Sequence, residues 1–367
     1  MASKRTGLKT ALGAIIALTF ATSWLCLPHP VVAASQTAPA PACLPRTYAA
    51  LRQPATQQAS SIELNCSLML EKTDIISKRL LLSGEKASGI TIDCAGATFD
   101  GSRGTVNSGR PTILIRSTRA KDGRWSVPQD ITVKNCTVKG AIRVQGLGAN
   151  GQAEDVRLSS LKAGHTQHAQ ASAPRNIDLS QLRFIADGKI PLYVAPGVTG
   201  LTVENSAFSG RSGGTAIYLD AESARNTIRA NSFAVITKSR EQIAVDGSAY
   251  NLISGNRFND PVKGGIFLYR NCGEGGTIRH QSPQYNEISG NTFSYSKGGA
   301  EPAIWLNSRN GARLYCLTAP SAPFGSGLIS RDFAEFNRVA GNIVIGGDVS
   351  LIRNDEDTNV IEHNRVE

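Results

Sequence analysis

Asn226-Thr-Ile-Arg-Ala-Asn231-Ser-Phe233 is followed by Asn251-Leu-Ile-Ser-Gly-Asn256-Arg-Phe258 and again by Asn286-Glu-Ile-Ser-Gly-Asn291-Thr-Phe293. Looser copies run from Asn337 to Val344 and from Asn359 to Val366. Between the copies a second strand recurs: Ala216-Ile-Tyr-Leu-Asp220, Gln242-Ile-Ala-Val-Asp246, Gly265-Ile-Phe-Leu-Tyr269 and Ala303-Ile-Trp-Leu-Asn307. The shortest repeat distance is roughly 22 to 26 residues, the period of a solenoid. Each segment alternates apolar and polar residues, so one face is buried. β-Branched and aromatic residues with Gly and Asn at the corners favour strands over helices.

The N-x-I-x-x-N-x-F repeat resembles the right-handed parallel β-helix proteins, the superfamily of pectate lyases, polygalacturonases, alginate lyases and mannuronan C5-epimerases. The resemblance runs from about Ile62 to the C-terminus and implies an all-β solenoid. It does not extend to any one family's catalytic set. The Asp-Pro-His run of the epimerases is absent, as are the Asp-Asp pair with Gly-His-Gly and Arg-Ile-Lys of polygalacturonases. So are the Arg-x-Pro-x-x-Arg of pectate lyases and the Gly/Asp calcium nonapeptide.

Residues 1–34 read as a secretory signal: Lys4, Arg5 and Lys9 precede the apolar run Ala11–Leu27, and Val32-Ala33-Ala34 suits cleavage. No membrane span is expected after cleavage. Residues 35–42 form an Ala/Pro linker, expected to be disordered. Residues 43–367 are expected to be one β-helix domain, with 43–60 as an N-terminal helical cap over the end of the first coil. Short alternating runs continue the coils, among them Ile142-Arg-Val144, Val156-Arg-Leu158 and Leu192-Tyr-Val194.

The formal charge is +10; loss of the signal's three positive charges leaves about +7, which favours anionic glycans as partners. An exported chain without basic clusters interleaved with aromatics is not expected to bind nucleic acid. The cysteines after the signal are Cys43, Cys66, Cys94, Cys136, Cys272 and Cys316. An even count in an exported chain suggests disulfides. The expected pairing is local, Cys43–Cys66, Cys94–Cys136 and Cys272–Cys316, with other connectivities open to the same count. No Cys-x-x-Cys pair marks a zinc or redox site, and no metal ligands are assigned.

Aligning the second strand by its apolar positions puts Tyr193, Tyr218, Ala244, Phe267 and Trp305 in one outward column, and Ala195, Asp220, Asp246, Tyr269 and Asn307 in a second. Coils about 4.8 Å apart make these columns one surface. Rings beside carboxylates suit a sugar chain; outward aromatics can equally pack under long loops. We expect an open, solvent-accessible groove. Asp220 and Asp246 on adjacent coils suit an acid with a nucleophile or base, at the about 5 Å spacing of a retaining glycosidase. Their clustered oxygens would also suit Ca2+; no other cofactor is indicated.

Two insertions leave the same strand ends, Arg270–Gln281 and Ser308–Asp332. A Cys272–Cys316 bridge would staple them into one wall carrying Arg270, Arg279, Arg309 and Arg313, residues suited to carboxylate binding. His280 with Tyr269 would supply acid and base beside a uronate whose carboxylate Arg270 or Arg309 neutralises. The recurring asparagines are assigned to structure. The functional expectation is a secreted or periplasmic carbohydrate-active protein, a polysaccharide lyase or epimerase acting on an acidic glycan. The alternatives are a glycoside hydrolase using the Asp pair and a non-enzymatic glycan-binding or surface-structural protein. Oligomeric state is not legible.

Overall fold

The computed structural model describes residues 37–103, 106–297 and 301–367. The expected signal, 1–34, lies outside the described residues. From Ser61 onward each turn of the chain lays one strand in each of three parallel sheets, and each strand pairs with its counterpart one coil away. Two sheets have ten strands and the third has eleven. A short antiparallel hairpin, Thr118–Arg119 with Trp125–Ser126, stands outside them.

Through the body of the solenoid the strands send alternate residues inward, while the last coil leaves Val360, Ile361 and Val366 exposed. Ile217, Leu219, Ile243, Val245, Ile266, Leu268, Ile304 and Leu306 are fully buried in one continuous core. Phe184, Phe208, Phe233, Phe258 and Phe293 stack through it with ring centroids 4.3–4.7 Å apart. Truncating one such ring costs about 3–5 kcal/mol.

The repeated asparagines form two ladders. Asn231 donates from its backbone N–H and its Nδ2 to Oδ1 of Asn256, at 3.0 and 3.1 Å. Asn256 does the same to Asn291 and Asn291 to Asn342. In this ladder the Nδ2 of Asn231, Asn256, Asn291 and Asn342 also reaches a corner carbonyl, as Asn256 does to Ile228. The amides therefore meet backbone groups that the turns would otherwise leave buried and unpaired. The residue before each rung is left-handed, and glycine fills it at Gly255, Gly290 and Gly341, with φ near 60°.

Three expectations are corrected. Residues 37–42 are not a free linker: Thr37 donates to Asp130, Ala40 to the Gly89 carbonyl, and Ala42 bridges Ser67. The helix near the N-terminus is Pro45–Arg52, shorter than expected, with Leu51 in the core. Val156-Arg-Leu158 is not a strand. It lies in the helix Glu154–Ser160, followed by a second helix, His165–Ala171. Three alternating residues fit either period, and Glu154 and Asp155 in the first turn complement a helix dipole.

Candidate functional site

The floor of the site is the outer face of one sheet. Strand pairing sets Arg143, Tyr193, Tyr218, Ala244, Phe267, Trp305 and Arg353 in a single outward column. The Arg143 guanidinium lies 4.4 Å from the centre of the Tyr193 ring, which stacks on Tyr218 at 5.2 Å. Phe267 meets Trp305 edge to face at 5.5 Å, and Arg353 covers Trp305. These aromatics form a second apolar cluster outside the solenoid core.

The column is not an open groove. Tyr218 and Phe267 are 9 % exposed, Tyr269 and Asp220 1 %, and Asp246 is fully enclosed. The insertions roof it. Ile278 N–H donates to Ser160 Oγ, Arg279 N–H to Ser326 Oγ, and Ser326 N–H back to the Arg279 carbonyl. Segment 270–282 is thus bonded to the helix Glu154–Ser160 on one side and to the 308–332 insertion on the other. Cys272–Cys316 ties the same two loops together, and Cys43–Cys66 and Cys94–Cys136 are also bridged.

Under the roof the two columns are joined by a repeated pair. Tyr193 OH donates to Asp220 Oδ2, and Tyr218 OH donates to Asp246 Oδ2 at 2.7 Å. Asp246 also accepts from Asn271 N–H and Nδ2, at 2.8 and 2.7 Å. Asp220 accepts from Ala221 N–H at 2.8 Å and lies 3.4 Å from Arg279 Nη1. Burial, with the charge of Asp246 added, raises the Asp220 pKa against the pull of Arg279. Burial and the neighbouring aspartates likewise hold the Tyr193 and Tyr218 phenols well above the usual range. Both carboxylates are occupied, and tyrosines rather than aspartates face the cleft. Calcium needs about six to eight open oxygens. The occupied pair does not offer them, so the expectation of Ca2+ here is withdrawn.

Tyr269 and His280 are not brought together. Tyr269 OH accepts from Arg240 and donates to Glu241 at 3.1 Å, while Arg309 lies 3.7 Å over its ring. Burial raises its pKa against the pull of Arg309. His280 instead packs against His165 and Phe324, with Nε2 2.7 Å from the Ser160 carbonyl. Arg270 is no carboxylate clamp. It spends its fork on the Ile329 and Arg331 carbonyls, and its N–H goes to Asp332. Asn307 Oδ1 is held by Ala334 N–H.

The accessible part of the site is a cleft of about 460 Å³ between floor and roof. Arg143, Arg240, Arg309 and Arg313 line it with Tyr193, Tyr218 and Tyr315. A second hollow of about 290 Å³ shares Arg240, Arg309 and Arg313 and reaches Phe267, Tyr269 and Trp305. Asn271 joins the layers: its Oδ1 accepts from Arg309 and from Tyr315 OH at 2.6 Å, while its amide holds Asp246. Arg240 and Asn271 escape sequence reading because they stand in loops, and Tyr315 because it sits in a short 3-10 helix, Leu314–Thr318, within an insertion outside the repeat. Arg143 is visible in principle, since Ile142-Arg-Val144 extends the Tyr193 column by one coil.

The family model described as Periplasmic copper-binding protein (NosD) matches residues 168–316, under half of the chain. That match falls on the coils whose three parallel sheets are described above. The chain is a right-handed parallel β-helix protein. No curated protein sequence matches it. The β-helix is a secreted or periplasmic protein, in agreement with its three disulfides and the periplasmic description of the family. Among the described residues no helix of this β-helix is long and apolar enough to cross a membrane.

Proposed function

We propose that the β-helix binds an anionic polysaccharide in the arginine-lined cleft and acts on it as a lyase or epimerase. The observation that carries this is the ring of Arg143, Arg240, Arg309 and Arg313 around the tyrosine floor. Guanidinium forks match carboxylates in shape and charge. Tyrosine rings offer an apolar face and a polar tip, as a sugar requires.

Lyases and epimerases of uronates remove the proton beside a carboxylate, and positive charge on that carboxylate stabilises the anion that forms. Arginines at the cleft supply the charge. The two tyrosine–aspartate pairs supply proton-transfer positions: a phenol that takes a proton from the sugar passes its own to the carboxylate behind it. A glycosidase pair is less well supported, because neither carboxylate reaches the cleft except through its tyrosine.

The matching family's description names copper, which favours thiolate, thioether and imidazole donors. In this chain all six cysteines of the described residues are in disulfides. Met69 is exposed. His165 and His280 face each other at 5.1 Å, but Ser159 Oγ and the Ser160 carbonyl each occupy one ring nitrogen. Among the described residues no three metal-ligating side chains converge. The donor set of the described residues does not fit copper.

The test is incubation with polygalacturonate, alginate, hyaluronan and neutral glycans. Ultraviolet absorbance follows the unsaturated product of a lyase, and proton NMR follows epimer content. The reading expects change in a uronate polymer alone. Binding or turnover confined to neutral glycans contradicts it.

A further inference from the structure

Arg279 is the largest wholly buried side chain among the described residues, 1 % exposed. A buried guanidinium needs its fixed fork of donors met. Among the described residues its one ion pair is to Asp220 at 3.4 Å, and its Nε has no hydrogen-bond acceptor. The Asp220 oxygens are already engaged by Tyr193 and Ala221. The fork is therefore largely unfilled, beside two tyrosines that line the cleft.

What separates it from the cleft is one stretch of backbone. A Cβ added to Gly151 would lie 2.1 and 2.2 Å from the two Nη atoms. Gly151 does not take the left-handed conformation, so close approach, not φ, requires glycine here. Its neighbours Asn150 and Gln152 both line the cleft. Among the described residues, segment 147–152 has one hydrogen bond to the chain outside 145–153: Arg143 Nη1 donates to the Ala149 carbonyl at 3.0 Å. Leu147 is packed with Val156 and Ala169 and anchors the start of the segment, while Arg143 is itself a cleft residue, so an anion that draws its guanidinium away frees residues 148–152 from their hydrogen bond.

We propose that Arg279 is a carboxylate subsite of the cleft, covered by a 148–152 lip, hinged at the packed Leu147, that lifts when an anionic sugar engages Arg143. The inference rests on the anionic-glycan reading. It gives the buried fork the bidentate partner it lacks and assigns the lip's glycine a purpose.

Two measurements on the full protein test it. Phenylglyoxal modification mapped by mass spectrometry should leave Arg279 unreacted in the wild type and label it at least about ten-fold faster in Gly151→Ala, whose methyl cannot fit under the closed lip. Calorimetric titration with oligogalacturonate and oligomannuronate should show Arg279→Lys binding at least about ten-fold more weakly, with the carboxyl-reduced oligomers unaffected. Binding that Arg240→Gln weakens and Arg279→Lys does not overturns the subsite while leaving the cleft reading intact. No binding of either charged oligomer by the wild type overturns the cleft reading, and the subsite with it. Should Arg279→Lys fail to fold, the oligomer's effect on Gly151→Ala decides: shielding of Arg279 from phenylglyoxal supports the subsite, and unchanged labelling overturns it.

Discussion

Tyr218 donates a 2.7 Å hydrogen bond to Asp246, one coil further along, and Tyr193 makes the same bond to Asp220. The repeat turns two outward columns into paired donors and acceptors beneath a roof. It also explains how two aspartates can be enclosed on the outside of a solenoid: each is met by a phenol and by backbone or amide N–H groups.

Asp246→Asn should destabilise the fold. Asn271 N–H donates to one carboxylate oxygen, and Asn271 Nδ2 with Tyr218 OH to the other. An amide has one oxygen, so a donor must face a donor. The expected loss is about 2–3 kcal/mol, read as a lower urea midpoint at unchanged slope. An unchanged midpoint would show that the network carries no stability.

Replacing Cys272 and Cys316 together by serine should loosen the roof and spare the solenoid. The bridge closes a separation of 44 residues, for which chain entropy allows at most about 4 kcal/mol. Limited proteolysis should cut between residues 308 and 331 at a faster rate, while the β-sheet circular dichroism is retained. Loss of the sheet signal would mean that the coils depend on the staple.

The coils are legible in the sequence because their information is local. Period-two alternation assigns Ile217 and Leu219 inward and Tyr218 outward, and a one-residue slip would reverse all three. The Asn and Phe ladders repeat often enough to be read as structure. The roof is not legible. The bond from Ile278 to Ser160 spans 118 residues, and no periodicity encodes which insertion covers which. Tyr269 and His280 look adjacent for the same reason: they are near in sequence, but the chain between them turns through the disulfide-tied loop and leaves His280 beside His165.

His165 should make stability depend on pH. Burial depresses its pKa from the ordinary 6.5 to about 4, against the pull of Glu222 and with help from His280 and Arg279. The unfolded chain takes the proton near pH 6.5 and the folded protein only near pH 4. Stability from this group is therefore full above 6.5, falls as pH drops through that window, and levels off below about 4. The whole span corresponds to about 3 kcal/mol. His165→Gln should flatten that part of the stability profile measured by urea unfolding, and an equally steep profile in the variant would contradict the assignment.

The central claim is that the cleft above Tyr193 and Tyr218 holds an anionic sugar chain. A crystal structure of the protein with a bound oligouronate tests it most directly. The account predicts sugar rings over the two tyrosines, with carboxylates within hydrogen-bond reach of Arg143, Arg240, Arg309 or Arg313. An oligouronate bound on another face of the solenoid, with the cleft arginines unengaged, would contradict it.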